Sequence, residues 1–376
     1  MKDNIVDYFM QMVRIGSESG NEREFAAFIT DELLHLGADV TIDGFSNSSH
    51  GCSGNIYAYF SGRIELEPLL FCCHIDTVKP GIDIDPYVED GVIKSRGNTI
   101  LGSDDKSGIV ELLFAIHNLR LSGFDMPPLE ILFTSCEEIG LLGAKYFDSS
   151  ILKSKYGFAL DSMEVGNIII GAPAQNTLNF EFIGKTAHAG FEPEKGVNAI
   201  KVAAHALDEI QVGRIDEETT INFGVILGGY ANNIVPDKVI VSGEIRSHSE
   251  EKLETLTNQV INKAKAAVEE FPKADMIYDV TREYNSFLLD ENNFYLKLAA
   301  QAFKNIGISP QLLKSGGGSD ANILNKDGIQ MAVIGTGMDK VHTVDEQIKV
   351  RDLEVISVWI EELINLYGNS KRGLDA

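Results

Sequence analysis

Cysteine is scarce in this chain of 376 residues. It occurs four times, as Cys52, Cys72, Cys73 and Cys136, and no two of these have C-x-x-C spacing. We therefore predict no disulfide framework and a reducing compartment. No apolar run reaches the length of a membrane-spanning helix, and acidic residues interrupt the first seven positions, where a signal peptide would be apolar. These absences predict a cytoplasmic protein with no membrane partner.

Positive charge is also in short supply. Lysine and arginine together number 32 against 56 acidic residues, which gives a formal net charge of −24. Because that charge repels phosphate backbones, we exclude nucleic acid as a partner and consider metal cations instead. Proline is rare as well, with 10 residues, while 44% of the chain is hydrophobic. This composition is typical of a globular protein, and about 150 residues per domain predicts two or three domains.

Short apolar segments without polar alternation are separated by helical patterns. Apolar residues at helical spacing predict two amphipathic helices at the start of the chain and a long helix over 105–121. The apolar runs that predict strands are 69–73, 129–134, 157–160 and 330–334. Continuous apolar strands between helices are typical of a parallel sheet covered on both faces. We therefore predict an α/β fold with a mostly parallel sheet flanked by helices.

The middle of the chain has a different pattern. Residues 176–183 alternate between polar and apolar, as a half-exposed strand does. The elements that follow have the order β-α-β-β-α-β, which predicts a ferredoxin-like α+β unit over 176–287. This unit is inserted between the two parts of the α/β domain, 1–175 and 288–376. The acidic run 82–90 is interpreted as a solvated loop.

Histidines and carboxylates follow the apolar strands, at the edge of the sheet where open α/β folds bind ligands. Singly, each has an ordinary alternative role, such as helix N-cap, turn residue, solvated loop or structural histidine. Their convergence on one edge favours a functional site. The residues are His74, Asp76, Asp104, Glu137, Glu138, Asp161 and His342.

The chemistry of this set favours a metal site. Five carboxylates in one cleft would force some of them to bind protons, whereas two divalent cations would balance the charge. Imidazole mixed with carboxylate suits Zn²⁺, or Co²⁺ and Mn²⁺ as substitutes, better than Ca²⁺. The His74-Ile75-Asp76 spacing is typical of a ligand imidazole whose second nitrogen donates to a carboxylate.

The motifs that carry these residues resemble one enzyme family. They are His74-Ile75-Asp76-Thr77, the Gly-Ser-Asp-Asp-Lys-Ser-Gly segment 102–108, and Cys136-Glu137-Glu138, followed in order by 187–190, 232–236, 317–320 and His342. Together they resemble the cocatalytic zinc peptidases, which include peptidase T, carboxypeptidase G, acetylornithine deacetylase and succinyl-diaminopimelate desuccinylase. Within this family the chain is most similar to the peptidase T branch, whose members are tripeptide aminopeptidases. Val78-Lys79-Pro80 is closer to the deacylase and carboxypeptidase branches.

The resemblance implies two zinc ions in each chain. Asp76 would orient His74, and Glu137 would be the general base for the water that the two ions share. The implied metal ligands are His74 and Asp161 at one ion, Glu138 and His342 at the other, and Asp104 between them.

The resemblance also implies that the inserted unit is a lid that pairs two subunits into a homodimer. His188 would reach the active site of the partner subunit and donate to the oxyanion. Arg246 and Asn233 would hold carboxylate or carbonyl groups of the substrate. Gly317 and Ser319 would lie against the substrate backbone.

The implied activity is metal-dependent hydrolysis of a peptide bond in short peptides, as by a tripeptide aminopeptidase. The alternative within the family is an N-acyl amino acid amidohydrolase or a carboxypeptidase-like enzyme. A nucleotide-binding protein is disfavoured because the Gly-Lys-Thr segment 184–186 has Asn179 where a P-loop needs glycine. A non-catalytic protein is disfavoured because every implied ligand and the base are present. Cys136 has no histidine to activate it, so we predict a packed cysteine at a strand end.

Overall fold

The computed structural model describes residues 4–47, 52–62 and 65–370. The chain forms two compact units. The first comprises Met1–Gly171, Leu288–Lys314 and Ser319–Ala376, and the second comprises Ala172–Phe287 and Ser315–Gly318. Among the described residues, we find no helix with the length and apolarity that crossing a bilayer requires.

The first unit contains most of the helices and a large sheet. Before the insertion its elements are α1 (Ile5–Val13), α2 (Arg23–His35), β1 (Asp39–Ile42), β2 (Ile56–Phe60), β3 (Leu69–His74), β4 (Asp85–Glu89), β5 (Val92–Arg96), α3 (Ser103–Leu121), β6 (Leu129–Thr134), α4 (Leu142–Tyr146), β7 (Tyr156–Ser162) and β8 (Asn167–Ala172). The second unit contributes β9 (Ala174–Ile183), α5 (Ala199–Asp208), β10 (Gly213–Arg214), β11 (Thr219–Gly228), β12 (Lys238–Ser247), α6 (Glu250–Glu269) and β13 (Asp275–Tyr284). After the insertion come β14 (Phe287–Leu288), α7 (Phe294–Asn305), β15 (Gln311–Lys314), α8 (Asp320–Lys326), β16 (Gln330–Gly335), β17 (Met338–Asp339), β18 (Gln347–Lys349) and α9 (Val350–Asn369).

The large sheet confirms the predicted α/β fold. Its strand order is β1-β2-β6-β3-β7-β16-β8-β14, with β15 paired to β8. The four central strands β6, β3, β7 and β16 are parallel, and antiparallel pairs flank them. Every residue of β3 and β6 is buried, which explains why their sequences are mostly apolar. The carboxyl ends of the central strands therefore lie along one edge of the sheet.

The single tryptophan ties the helices to this sheet. Trp359 of α9 is fully buried, with its ring 5.9 Å from that of Phe158 on β7 and 4.8 Å from that of Phe303 on α7. Its indole nitrogen donates to the carbonyl of Ala299 at 3.1 Å, so the buried polar atom is satisfied. The last helix is thus part of the core that supports the parallel strands.

The acidic run 82–90 is not a solvated loop, and that interpretation was wrong. Residues 85–89 form β4, which pairs with β5 across a tight turn at Asp90 and Gly91. Both turn residues have positive φ, 50° and 76°, as a two-residue Asp-Gly hairpin requires. This hairpin belongs to a second sheet of the first unit, with the order β17-β18-β5-β4.

The second unit has the predicted β-α-β-β-α-β order, with the short strand β10 added. Its sheet order is β10-β11-β12-β9-β13, and along the chain α5 follows β9 and α6 connects β12 to β13, as in ferredoxin-like folds. Burial alternates residue by residue along β9, with Phe180 and Phe182 in the core. Asn198 caps α5 and Ser249 caps α6 through side-chain oxygens that accept from main-chain N–H groups.

Two of the four cysteines form a disulfide, contrary to the sequence prediction. Cys52 and Cys136 are bonded, with their Cα atoms 6.4 Å apart, and Cys136 is therefore not an unbonded packed thiol. The antiparallel pairing of β2 with β6 brings the residues before β2 beside those after β6, which explains the contact. Cys72 and Cys73 are free and buried in β3.

Candidate metal centre

The seven acidic and histidine residues predicted at the sheet edge lie in the first unit. His74 ends β3, Asp161 is near the end of β7, and Glu138 follows β6. Asp104 stands at the start of α3, where Gly102 in a left-handed conformation turns the chain into the helix. His342 follows β17 and has a φ of 63°. The positions of His74, Asp161 and Glu138 follow from the ends of the parallel strands β3, β7 and β6, whereas Asp104 and His342 follow strands of the second sheet.

Asp104 is the centre of the cluster because its two oxygens face different histidines. Its Oδ1 lies 2.9 Å from Nε2 of His74, and its Oδ2 lies 3.2 Å from Nε2 of His342. Asp161 Oδ1 is 3.9 Å from the same His74 nitrogen, and Glu138 Oε1 is 3.0 Å from the same His342 nitrogen. Two groups of three potential metal ligands result, and Asp104 belongs to both.

The charges in this cluster fit divalent cations. Burial raises the pKa of Glu137 and of Asp161, since an ionised carboxylate loses its hydration there. Burial also opposes ionisation of Asp104, but hydrogen bonds from His342 and His74 outweigh it and lower the pKa. Hydrogen bonds with Asp104 and Glu138 raise the pKa of His342 to about 10. Four clustered carboxylates exceed two imidazoles, and divalent cations would offset the excess charge.

Asp76 contacts His74 and also holds the main chain of the two glutamates. The Nδ1 atom of His74 bonds to the main-chain oxygen of Asp76 at 2.9 Å, whereas the carboxylate is 3.6 Å away. The Asp76 carboxylate also accepts from the main-chain N–H groups of Glu137 at 2.9 Å and Glu138 at 3.2 Å. It also accepts from the hydroxyl of Ser19 at 2.7 Å. Sequence reasoning did not find Ser19.

Two further carboxylates beside the centre were not assigned a role from the sequence. Asp320, within the quoted 317–320 motif, is buried and accepts a hydrogen bond from Thr134. Burial raises the pKa of Asp320 to about 6. Glu346 is buried and accepts hydrogen bonds from the segment that carries Asp104. In the sequence, only the 317–320 motif indicates Asp320. Glu346 lies in a polar segment without periodicity, so no sequence pattern indicates it.

The residues predicted to bind substrate are divided between the units. His188 is exposed in the second unit, and its Nδ1 accepts from the main-chain N–H groups of Gly190 at 3.1 Å and Phe191 at 3.2 Å. The neighbouring Ala189 N–H donates to the carbonyl of Asn233, so these two loops are paired. Ser319, in the first unit, accepts from the Ala321 N–H and caps α8.

Arg246 is already engaged within the second unit. Its Nε and Nη2 atoms each lie 2.9 Å from an oxygen of Glu244, two residues earlier on β12. Its Nη1 is 3.5 Å from the carbonyl of Gly316, next to Gly317. Any substrate carboxylate at Arg246 would therefore compete with Glu244.

Comparison with known proteins identifies the family. The M20 peptidase dimerisation domain matches residues 174–272, and peptidase family M28 matches residues 55–207. The aminopeptidase PepT of Bacillus cereus ATCC 10987 is 36% identical, with a TM-score of 0.88, over 96% of this chain and 97% of that one. The chain belongs to the M20 peptidase family.

Other relatives of this M20 peptidase cover nearly its whole length. A tripeptidase of Staphylococcus aureus subsp. aureus Mu50 is 34% identical, with a TM-score of 0.93, over 97% of this chain and 98% of that one. The uncharacterised protein YqjE of Bacillus subtilis (strain 168) is 38% identical over 367 residues, which are 95% of this chain and 98% of the relative. Membership of this metallopeptidase family agrees with the carboxylate and histidine cluster.

Proposed function

We propose that this M20 peptidase is an aminopeptidase that removes the N-terminal residue of short peptides, tripeptides above all, with two Zn²⁺ ions per chain. Co²⁺ or Mn²⁺ would act as substitutes. The observation that carries the proposal is the placement of Asp104, which offers one oxygen to each of two histidine-containing groups. The similarity to a tripeptidase and to an aminopeptidase, at 34% and 36% identity, supports the substrate class.

Five side chains would hold the two cations. When bound, such a pair lowers the pKa of a water and polarises the carbonyl that is attacked. The proposed ligands are His74 and Asp161 at one ion, Glu138 and His342 at the other, and Asp104 between them.

We propose Glu137 as the general base. It shares a ligand group with His74 and Glu138 but stands outside the two groups that meet at Asp104. Burial raises the pKa of its carboxyl, which suits a group that takes a proton and gives it up again. Asp76 fixes its main-chain nitrogen, so the side chain is held beside the ligands. Glu137 would take a proton from the attacking water and return it to the leaving amine.

The second unit would bind substrate and form a homodimer. Because Nδ1 of His188 accepts two N–H groups, its proton belongs on Nε2, which is free to donate to an oxyanion. Arg246 and Asn233, with Gly317 and Ser319, are proposed to hold the substrate.

Strand β11 supplies the argument for the homodimer. It pairs with β10 only at Thr220 and Ile221, so its later residues have a neighbouring strand on one side, within the described part of the chain. Nearby, Ile226, Leu227 and Tyr230 are 55%, 63% and 70% exposed. An open apolar strand edge is a surface that pairs with another strand. We propose that the dimer contact lies there and that the enzyme works in the cytoplasm, where the Cys52–Cys136 pair would be reduced.

The test combines metal analysis with peptide hydrolysis. Wild-type protein should contain about two metal equivalents per chain and release the first residue of free tripeptides. Glu137→Gln should keep both metals and lose about 10²- to 10⁴-fold in kcat, since only proton transfer is removed. Wild-type protein treated with a chelator and then reloaded with Zn²⁺ is the control for reversible metal loss.

Two results would count against the proposal. Loss of metal from Glu137→Gln would mean that Glu137 is a ligand and not the base. Activity on N-acylated substrates together with inactivity on free tripeptides would favour the amidohydrolase alternative. A protein with neither metal nor hydrolase activity would contradict both.

A further inference from the structure

One buried carboxylate holds the segment that leads into α3. Oε2 of Glu346 accepts from the main-chain N–H groups of Leu101 at 2.7 Å and Gly102 at 2.8 Å. Its Oε1 accepts from the hydroxyl of Ser103 at 2.6 Å and from the main-chain N–H of Asp104 at 3.1 Å. Glu346 is 2% exposed, so these four donors replace its hydration.

The segment depends on this external acceptor. Helix starts leave N–H groups without partners, and a side chain at the N-cap position usually accepts from them. Here the N-cap residue is Gly102, which has no side chain to do so, and Asp104 and Asp105 have non-helical backbone angles. Glu346 is 242 residues away from Asp104 in sequence and takes over the capping task.

Glu346 and His342 lie in the same short turn, formed by residues 340–346. Within it, the Thr343 hydroxyl donates to the carbonyl of Lys340 at 2.7 Å, and the Glu346 N–H donates to the carbonyl of Thr343 at 3.2 Å. The turn is therefore held together internally. The turn 340–346 thus carries His342, a proposed ligand of one ion, and Glu346, which accepts from the main chain of Asp104. Asp104 is the residue that faces both histidines.

We propose that Glu346 is a positioning residue that fixes Asp104 relative to His342 and so sets the affinity for the metal pair. The inference rests on the proposed metal-dependent function. Glu346 belongs to none of the ligand groups found among the described residues, so it acts through Asp104 and not on the metals. Loss of such an outer partner typically weakens metal binding by about 10- to 100-fold.

Glu346→Gln is the informative variant because it keeps the size of the side chain. The amide nitrogen of the glutamine takes the place of one carboxylate oxygen, and each of these oxygens accepts two hydrogen bonds in the wild-type protein. The N–H groups of the amide would therefore face hydrogen-bond donors of the segment 101–104. Glu130→Gln is the matched control: Glu130 is fully buried and accepts from Lys153 N–H, Ser154 N–H and the hydroxyl of Tyr57. That network lies at the start of β6, at the other end of the strand from Glu137 and Glu138.

The readout is the Kd for Zn²⁺, measured by chelator competition on the full chain, with thermal unfolding of the metal-free protein alongside. Glu346→Gln should bind Zn²⁺ about 10- to 100-fold more weakly. Glu130→Gln should unfold at a lower temperature and keep the wild-type Kd. Ser103→Ala, which deletes one of the four hydrogen bonds, should show a smaller loss of affinity and carries the test if Glu346→Gln does not fold.

An unchanged Kd in folded Glu346→Gln, or in Ser103→Ala where only that variant folds, would overturn the inference. An equal loss of affinity in Glu130→Gln would do so too, because it would show a general effect of destabilisation. A different result would refute the proposed function, namely wild-type protein that binds two Zn²⁺ ions but hydrolyses no peptide.

Discussion

Asp76→Asn tests whether one carboxylate orients both glutamates. Oδ1 of Asp76 accepts from the Glu137 N–H, while Oδ2 accepts from the Glu138 N–H and from the Ser19 hydroxyl. Asparagine has one oxygen and one NH₂ group. Whichever way the amide turns, its NH₂ group faces one of the two glutamate N–H groups, and that donor is left without an acceptor.

The size of the effect follows from these hydrogen bonds. A buried donor without a partner costs about 1–3 kcal/mol, and a neutral acceptor in place of a charged one weakens the remaining bond. We therefore expect Asp76→Asn to lower the free energy of unfolding by about 2–4 kcal/mol. Since displacement of a catalytic group by about 1 Å can cost 10²-fold in rate, kcat should fall by about 100-fold or more.

The assay pairs urea unfolding with kcat measured at saturating Zn²⁺. Ser19→Ala is the matched control, because it removes one hydrogen bond to Asp76 and leaves both glutamate N–H groups satisfied. It should lose about 1 kcal/mol of stability and little turnover. Wild-type kcat in folded Asp76→Asn, or equal losses of kcat in the two variants, would refute the orienting role.

Three further predictions concern stability and assembly. Burial raises the pKa of Glu22 to about 7 from 4.5, so the free energy of unfolding should be highest below pH 4.5 and fall as the pH rises towards 7, by up to about 1.4 kcal/mol per pH unit. Glu22→Gln should abolish this pH dependence in urea unfolding at pH 5 and pH 8, and an unchanged pH dependence would contradict the reasoning. Cys52→Ser should lower stability by up to about 4–5 kcal/mol in oxidised protein, because the bond to Cys136 spans 84 residues, and should match wild type in reductant. Leu227→Lys should give monomers in analytical ultracentrifugation, whereas Leu121→Lys, at a 74% exposed site of the first unit, should leave the dimer intact.

The strands and the clustering of histidines and carboxylates at one sheet edge could be predicted because local patterns indicate them. Residues 69–73 and 131–133 are apolar since both faces of the central strands are covered. The polar residue after such a strand then falls at the ligand edge of the sheet, which is how His74 and Glu138 were found.

The features that were missed depend on contacts between distant segments. Cys52 meets Cys136 only because β2 pairs with β6, and no periodicity reports which strands are neighbours. Ser19 and Glu346 lie in polar segments where any acidic or hydroxyl residue is ordinary. The β4–β5 hairpin, in contrast, could have been predicted, because its Asp90-Gly91 turn is a recognisable local signal.

The order of the proposed ligands along the chain determines when the proposed metal centre can be completed during synthesis. His74, Asp104, Glu138 and Asp161 precede the second unit, whereas His342 and Glu346 follow it. A nascent chain that ends just after the insertion therefore contains four of the five proposed ligands but lacks His342 and the Glu346 carboxylate that caps the segment of Asp104. The core around Trp359 and the proposed metal centre can therefore both be completed only after the last segment has left the ribosome.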